Sequence, residues 1–332
     1  MKALCVTPER TLTVRDVPRP TDPPAQHVVI AMEACAINPG DKFFLKAPPI
    51  RSAPSAKHDV WGASGAGAVV AAGAGVPPSW VGRKVTVYRS LSPSEHTVGL
   101  WCTHAQMPAR CCALLPEGLA ARDYSGSLVN MMTAYAFAKQ AMADGHRGVL
   151  VTAGTSATGI ALLGVAQSFG LPVVTLARDE AGKKRLRELG AEDAPAQSDE
   201  GFDGEVEAAA LRLGATAVFD GVGGALLTRL VPRLAQRSTV YSYGYLGGYD
   251  VPLQLPTTLL LTKALTLRGF SNFASPTVQD PAELDAALCH VGELLALPHA
   301  RTPLGRTYPF EQIDDAMAAV GKGEGKPVLV PA

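Results

Sequence analysis

Apolar runs punctuated by glycine and proline follow two different rhythms along this chain. Up to about residue 120 they are short. Val28-Val-Ile-Ala-Met-Glu33, Gly67-Ala-Val-Val-Ala-Ala72 and Lys84-Val-Thr-Val-Tyr88 are bounded by turn formers, which predicts strands. Residues 48–58 carry Pro48, Pro49 and Pro54 among small side chains and predict an irregular loop. A helix is expected from about Tyr124 to Met142. From about 149 strand-length and helix-length segments alternate. Ala217-Val-Phe-Asp220 leads into Gly221-Val-Gly-Gly224, and Ser238 to Gly244 and Leu265 to Phe270 are two further strand candidates. Such alternation predicts an α/β fold, a parallel sheet covered by helices on both faces, with a ligand beyond the carboxyl ends of its strands. Pro309 to Met317 is expected to form a late helix.

The densest information lies in Val149-Leu-Val-Thr-Ala-Gly-Thr-Ser-Ala-Thr-Gly159 and the Ile-Ala-Leu-Leu-Gly-Val-Ala-Gln-Ser-Phe-Gly170 that follows. It reads as a buried strand, a tight turn and a helix with an apolar stripe, and Val173 to Ala177 supplies the next strand. A unit of this size matches a dinucleotide-binding βαβ. Gly154 and Gly159 hold the first and third glycine places of G-x-G-x-x-G, while Ser156 stands at the second. The turn, Gly154, Thr155, Ser156, Ala157, Thr158 and Gly159, would offer backbone N–H groups to a pyrophosphate. An ordinary strand-to-helix turn is the alternative.

The end of the second strand bears on which dinucleotide. NAD-preferring sites usually place a carboxylate there, but this chain has Ala177 and then Arg178. A guanidinium suits the 2′-phosphate of NADPH, and Lys183 and Lys184 add positive charge. Asp179 and Glu180 favour a helix start, and Arg178 read alone is a solvated loop charge.

Composition narrows the class. Of 332 residues, 47% are hydrophobic and 18% charged, with 30 basic against 30 acidic side chains, which fits a globular enzyme rather than a disordered chain. No basic run suggests nucleic acid, and no apolar run reaches the length of a membrane span. Cysteines 5, 35, 102, 111, 112 and 289 form no C-x-x-C pair, as expected of reduced thiols in the cytoplasm.

Several segments, taken in order, resemble the medium-chain dehydrogenase/reductase superfamily. They are Cys35-Ala-Ile-Asn-Pro-Gly-Asp41, Gly62-Ala-Ser-Gly-Ala-Gly67, Gly82-Arg-Lys-Val85 and Leu115-Pro-Glu-Gly118. The first of them resembles the I-N-P-x-D segment of its quinone oxidoreductase and enoyl reductase branches, and Val129-Asn-Met-Met-Thr-Ala-Tyr135, Gly154-Thr-Ser-Ala157, Ala177-Arg-Asp179 and Leu267-Arg-Gly-Phe270 are similar to segments of its mitochondrial-type 2-enoyl thioester reductase branch. The resemblance implies a GroES-like β-rich catalytic domain from both chain ends, 1–123 and 265–332, with a Rossmann NADP-binding domain, 124–264, inserted between. It implies homodimers that pair the last strand of the nucleotide sheet. It also implies cofactor contacts at Asn130, Thr133, Tyr243, Gly244, Tyr245, Leu246, Phe270, Asn272 and Lys326. Read alone, Asn130 with Thr133 could cap a helix, and Lys326 would be a surface charge.

Zinc members of the superfamily use a Cys, a His–Glu pair and a further Cys or His. Here Asn38 and Ala63-Ser64 stand at the first of those places, so no catalytic metal is expected. The enoyl reductase branch has a proton-donating Tyr soon after the N-P-x-D segment, but this chain has no Tyr from 32 to 87. The expected activity is hydride transfer from NADPH to a small-molecule acceptor, a quinone or another activated carbonyl-conjugated double bond, with solvent or a bound water completing the reduction. Alternatives are an enoyl-CoA or acyl-carrier thioester reductase and a non-enzymatic NADPH-binding protein. Asn38 would orient the acceptor or simply form a turn before Pro39. Ser64, Phe43 and Phe44 would line the acceptor slot, the two phenylalanines having loop packing as their alternative.

Overall fold

The computed structural model describes residues 1–47, 54–91, 93–322 and 325–331. Most of the expected 48–58 loop therefore falls outside the described residues. The chain forms two compact units, 1–129 with 300–332, and 130–299. Among the described residues no helix is long and apolar enough to cross a membrane.

The first unit is β-rich. It contains β1 (Lys2–Val6), β2 (Leu12–Asp16), β3 (His27–Ala36), α1 (Pro39–Lys46), β4 (Ala56–His58), β5 (Ser64–Ala72), β6 (Lys84–Tyr88), β7 (Ser94–Thr97), β8 (His104–Pro108) and β9 (Cys112–Leu114). Helix α2 (Ser127–Ala143) carries the chain into the second unit. There follow β10 (Gly148–Val151), α3 (Ala157–Ser168), β11 (Val173–Thr175), α4 (Glu180–Glu188), α5 (Phe202–Leu213), β12 (Ala215–Asp220), α6 (Gly224–Leu230) and β13 (Thr239–Ser242). Then come α7 (Thr257–Lys263), β14 (Thr266–Gly269), α8 (Pro276–Gln279) and α9 (Pro281–Leu294). The first unit is completed by β15 (Leu304–Pro309), α10 (Ile313–Ala319) and β16 (Lys326–Val330).

In the first unit the main sheet runs β15-β16-β3-β5-β6-β9, with β8 also paired to β3. Its core gathers Leu4, Ile30, Ile37, Leu100, Trp101 and Met107, all fully buried. Long β3 is the axis. It pairs antiparallel with β5, β8 and β16, so residues from the last part of the chain lie beside residues from the first. The expected late helix begins later than its pattern suggests, at Ile313, because Thr307, Tyr308 and Pro309 pair with β16.

The second unit holds a five-stranded sheet in the order β11-β10-β12-β13-β14, every pair parallel. Isolated parallel bridges from Val174 to Asp193 and from Ala177 to Ala196 add a rudimentary strand beyond β11. With it the spatial order is that of a Rossmann fold, and the order reverses beside β10. Alternate side chains of β12 serve opposite faces. Phe219 stacks on Phe137 of α2 at 3.8 Å, while Val218 joins Phe202 and Leu227 in a separate apolar cluster.

Two expectations need correction. Residues 265–299 belong to the second unit, because β14 is hydrogen-bonded onto β13; the chain returns to the first unit at 300 instead of 265. Helix α3 shows no apolar stripe with a solvent face opposite it over its middle two turns, since every residue from Gly159 to Ala166 is buried. Gly164 lies so close to His299 that a Cβ there would come within 2.6 Å of the ring-bearing carbon.

Candidate active site

The turn between β10 and α3 is built by close approach. A Cβ on Gly154 would lie 2.4 Å from Thr175 and 2.6 Å from the Leu176 carbonyl oxygen, and one on Gly159 would lie 2.2 Å from the Ala153 carbonyl oxygen. Both positions need glycine for space rather than for an unusual φ. At the second glycine place Ser156 is the N-cap, its hydroxyl accepting from the Gly159 amide at 3.1 Å. The amides of Ala157 and Thr158, the first two of the helix, have no acceptor within it. They point out from the positive end of the helix dipole. The Thr158 hydroxyl donates to Asn130 Oδ1 at 3.2 Å. Asn130 is therefore inside α2 and directed at the turn, not acting as a cap. The small residues, orphan amides and positive helix end fit a pyrophosphate.

At the end of β11, Ala177 is buried and Arg178 exposed. Asp179, the acid beside it, caps α4 by accepting from the Gly182 amide at 2.9 Å. Lys183 is engaged by Asp199 at 2.7 Å, while Arg178 and Lys184 are exposed. The Lys183 contribution expected from the sequence is thereby reduced.

The ends of β10, β12 and β13 are tied together by a carboxylate that sequence reasoning missed. Asp220 is fully buried. It accepts from the Thr152 hydroxyl at 2.7 Å, the Val222 and Gly223 amides at 3.2 and 3.0 Å, and the Ser242 hydroxyl at 3.4 Å. A lone acid closing an apolar strand before a glycine-rich turn was the available signal. Tyr243 follows, stacked on Phe219 at 3.9 Å, with its hydroxyl over Gly221, 2.5 Å from where a Cβ would sit. Phe270 meets Phe219 and Phe137 edge-on. Gly244 passes close to Gly221, a Cβ there coming within 2.8 Å of its carbonyl oxygen. Tyr245 is half-buried, Leu246 exposed and Asn272 buried. The structure thus collects 154–159, Arg178, 243–246, Phe270 and Asn272 at the carboxyl ends of one parallel sheet, with Asn130 bonded to the turn and half-buried Thr133 one helical turn further along α2. Burial pushes the phenols of Tyr243 and Tyr245 above their ordinary range, which makes both poor acids.

A second polar cluster lies in the first unit. Register places it: Val328 of β16 faces Ala36 of β3, so Lys326 meets Asn38 just beyond the ladder. Gly325 makes the entry possible, with φ +94° and room for no Cβ, which would lie 2.5 Å from Leu304. Lys326 donates to Asn38 Oδ1. The Asn38 amide nitrogen donates to Asp41 Oδ2 at 2.9 Å and to the Ser64 hydroxyl at 3.0 Å. Asp41 Oδ2 also takes the Asn38 backbone amide at 2.8 Å, closing a capping box on α1, and Oδ1 takes the Ala63 amide at 3.0 Å. Burial raises the Asp41 carboxyl, against the pull of these bonds and of Lys326. Burial brings the Lys326 ammonium down to about 8, against the pull of Asp41.

Lys326 is therefore part of a buried network and no surface charge. Ser64, only 1% exposed and donating to the Ala36 carbonyl oxygen at 3.2 Å, lies behind Asn38 and does not line an open slot. Phe43 and Phe44 sit on α1, not in a loop, in edge-to-face contact at 5.1 Å. Phe44 is exposed and Phe43 half-buried. Amide, methyl and hydroxyl groups at Asn38, Ala63 and Ser64 do not make a zinc donor set. Among the described residues no three His, Cys, Asp or Glu side chains are grouped to hold a metal.

Residues 24–142 match the alcohol dehydrogenase GroES-like domain family, and residues 157–286 match the zinc-binding dehydrogenase family. Among curated proteins, rat quinone oxidoreductase-like protein 2 is 26% identical, covering 98% of this chain and 91% of the relative. Human mitochondrial enoyl-[acyl-carrier-protein] reductase is 27% identical, covering 88% of this chain and 77% of the relative. The crystal structure of Escherichia coli quinone oxidoreductase complexed with NADPH superposes with a TM-score of 0.71 at 18% identity, over 99% of each chain. A GroES-like unit and a Rossmann unit, matched in order by both families and by relatives of full length, place this oxidoreductase chain in the medium-chain dehydrogenase/reductase superfamily.

Proposed function

We propose that the chain is an NADPH-dependent, metal-independent reductase that passes hydride to a quinone or another activated carbonyl-conjugated double bond. The observation that carries this reading is a pyrophosphate-fitting turn followed, at the end of β11, by Arg178 where a carboxylate would serve NAD. The NADPH in the Escherichia coli relative supports it. Bound nicotinamide would supply the hydride. The protein's part is to hold and orient: amides at the α3 N-terminus take the pyrophosphate, Arg178 takes the 2′-phosphate, and Tyr243 to Leu246, Phe270 and Asn272 edge the cofactor. The Asn38 cluster and the phenylalanines of α1 serve the acceptor. The protein works in the cytoplasm as a homodimer.

The relationship to the enoyl reductases favours a second reading, reduction of a 2-enoyl thioester. Against it stands the lack of any Tyr from 32 to 87. The test is NADPH oxidation by the purified protein with a panel of quinones, enones and enoyl-CoAs, beside NADPH binding followed by fluorescence. Turnover of quinones or enones supports the first reading, and turnover confined to enoyl-CoAs supports the second. Binding without any turnover leaves a non-enzymatic NADPH-binding protein.

A further inference from the structure

Reduction of a conjugated double bond needs a proton as well as a hydride, and the chain has no Tyr from 32 to 87 to stand where the enoyl reductases have their donor. The Asn38 carboxamide cannot replace it. Both of its N–H bonds are directed inward, to Asp41 and Ser64, and its oxygen accepts from Lys326. An amide held in this way does one thing well: it fixes the ammonium that donates to it. Among the described residues bonded to Asn38, the cationic acid is the lysine, brought there by the β3–β16 register and by Gly325.

We propose that Lys326 protonates the reduced acceptor, with Asn38 and Asp41 as the residues that position its ammonium. This rests on the reductase reading. The acceptor's β-carbon gains hydride and with it two electrons, while the π pair of its double bond moves toward the carbonyl to give an enolate. A Lys326 N–H bond breaks, and its proton goes to the enolate. The neutral amine that remains takes a proton back from water, so that hydride and proton together complete the reduction. Asp41 on α1 lies close enough to oppose the loss of positive charge, and Arg89, which follows β6, acts on Asp41 in turn. Burial of the ammonium brings its ionisation to about 8, close to the pH at which an acid of this kind is effective.

The experiment compares wild type, Lys326→Met and Lys326→Arg with an enone acceptor. It uses single-turnover NADPH oxidation across pH 6 to 10, with NADPH affinity measured by fluorescence on the same samples. Wild-type rate should fall as pH rises through about 8, as the ammonium is lost. Lys326→Met should lose roughly 10²–10⁴-fold in rate at neutral pH. Lys326→Arg keeps a charge that does not ionise in this range. It should restore NADPH affinity but not the rate, and it should abolish the alkaline limb. Unfolding gives an independent readout. A lysine depressed in the folded state makes wild type more stable relative to Lys326→Met as pH rises from about 8 toward the free-lysine range. The proposal is overturned if Lys326→Arg regains wild-type rate, if Lys326→Met weakens NADPH binding without slowing saturated turnover, or if the alkaline limb survives in both variants. Wild type that turns over no acceptor would instead sink the reductase reading.

Discussion

At the scale of single residues the cofactor corner turns on Arg178. Its guanidinium is exposed while its acidic neighbour is occupied in capping α4. Arg178→Ala should weaken NADPH binding by roughly 1.5–3 kcal/mol, the range for a charge-assisted hydrogen bond. NADH, which lacks the 2′-phosphate, should scarcely be affected; equal losses measured by calorimetry for the two cofactors would remove the assignment. This corner was legible in the sequence because each feature is local. Gly159 announces contacts within a few residues of itself, Gly154 lies against the very next strand of the same βαβ unit at Thr175 and Leu176, and Ala177-Arg178 comes just after that strand. The Lys326–Asn38 bond joins residues 288 positions apart, and no local pattern announces it. Lys326 reads as a surface charge until β16 is laid against β3. Ser64 misled for the same reason: its place in a motif marks a site, but its burial depends on Asn38 standing before it.

Among the elements, the sheet of the second unit stands out for how its strand ends are joined. One carboxylate, Asp220, accepts from β10, from the loop after β12 and from β13. Asp220→Ala would leave buried donors unsatisfied, and its cost should exceed about 2 kcal/mol in chemical denaturation. NADPH affinity should fall with it, since the residues at 221–224 and 243–246 hang from this knot. An unchanged denaturation midpoint would show that water replaces the carboxylate. Periodicity predicted the strands well, most closely at Lys84–Tyr88. It misjudged α3, because the element that covers its far side, His299, arrives 135 residues after Gly164. At the other margin of the sheet β14 is exposed along its whole length, and exposed Leu261 lies on the preceding helix. Such an edge invites pairing. We expect a homodimer through it, and Leu267→Glu should shift sedimentation toward the monomer; no shift would move the interface elsewhere.

On the scale of the whole molecule, the absence of metal-ligand chemistry at Asn38, Ala63 and Ser64 should show in bulk composition. Elemental analysis should find zinc well below one atom per chain, with activity unaffected by chelator, whereas about one tightly held zinc would overturn the metal-free reading. The change of rhythm near residue 149 falls inside the second unit, which begins at 130, and the point of return at 300 was not legible. Leu265 to Phe270 reads as one more strand of the alternation, and β14 does pair with β13, but no local pattern shows that the second unit continues to 299. The pairing of β16 with β3 also imposes an order on synthesis. Chains grow from the amino end, and a unit made of contiguous sequence can fold as it emerges. Residues 130–299 meet that condition, whereas the first unit must wait for its last strand. Until 326–330 leaves the ribosome, β3 lacks one of its neighbours and Asn38 has no ammonium to hold. The nucleotide fold would then be ready first, and the acid that the acceptor needs would be put in place only after it.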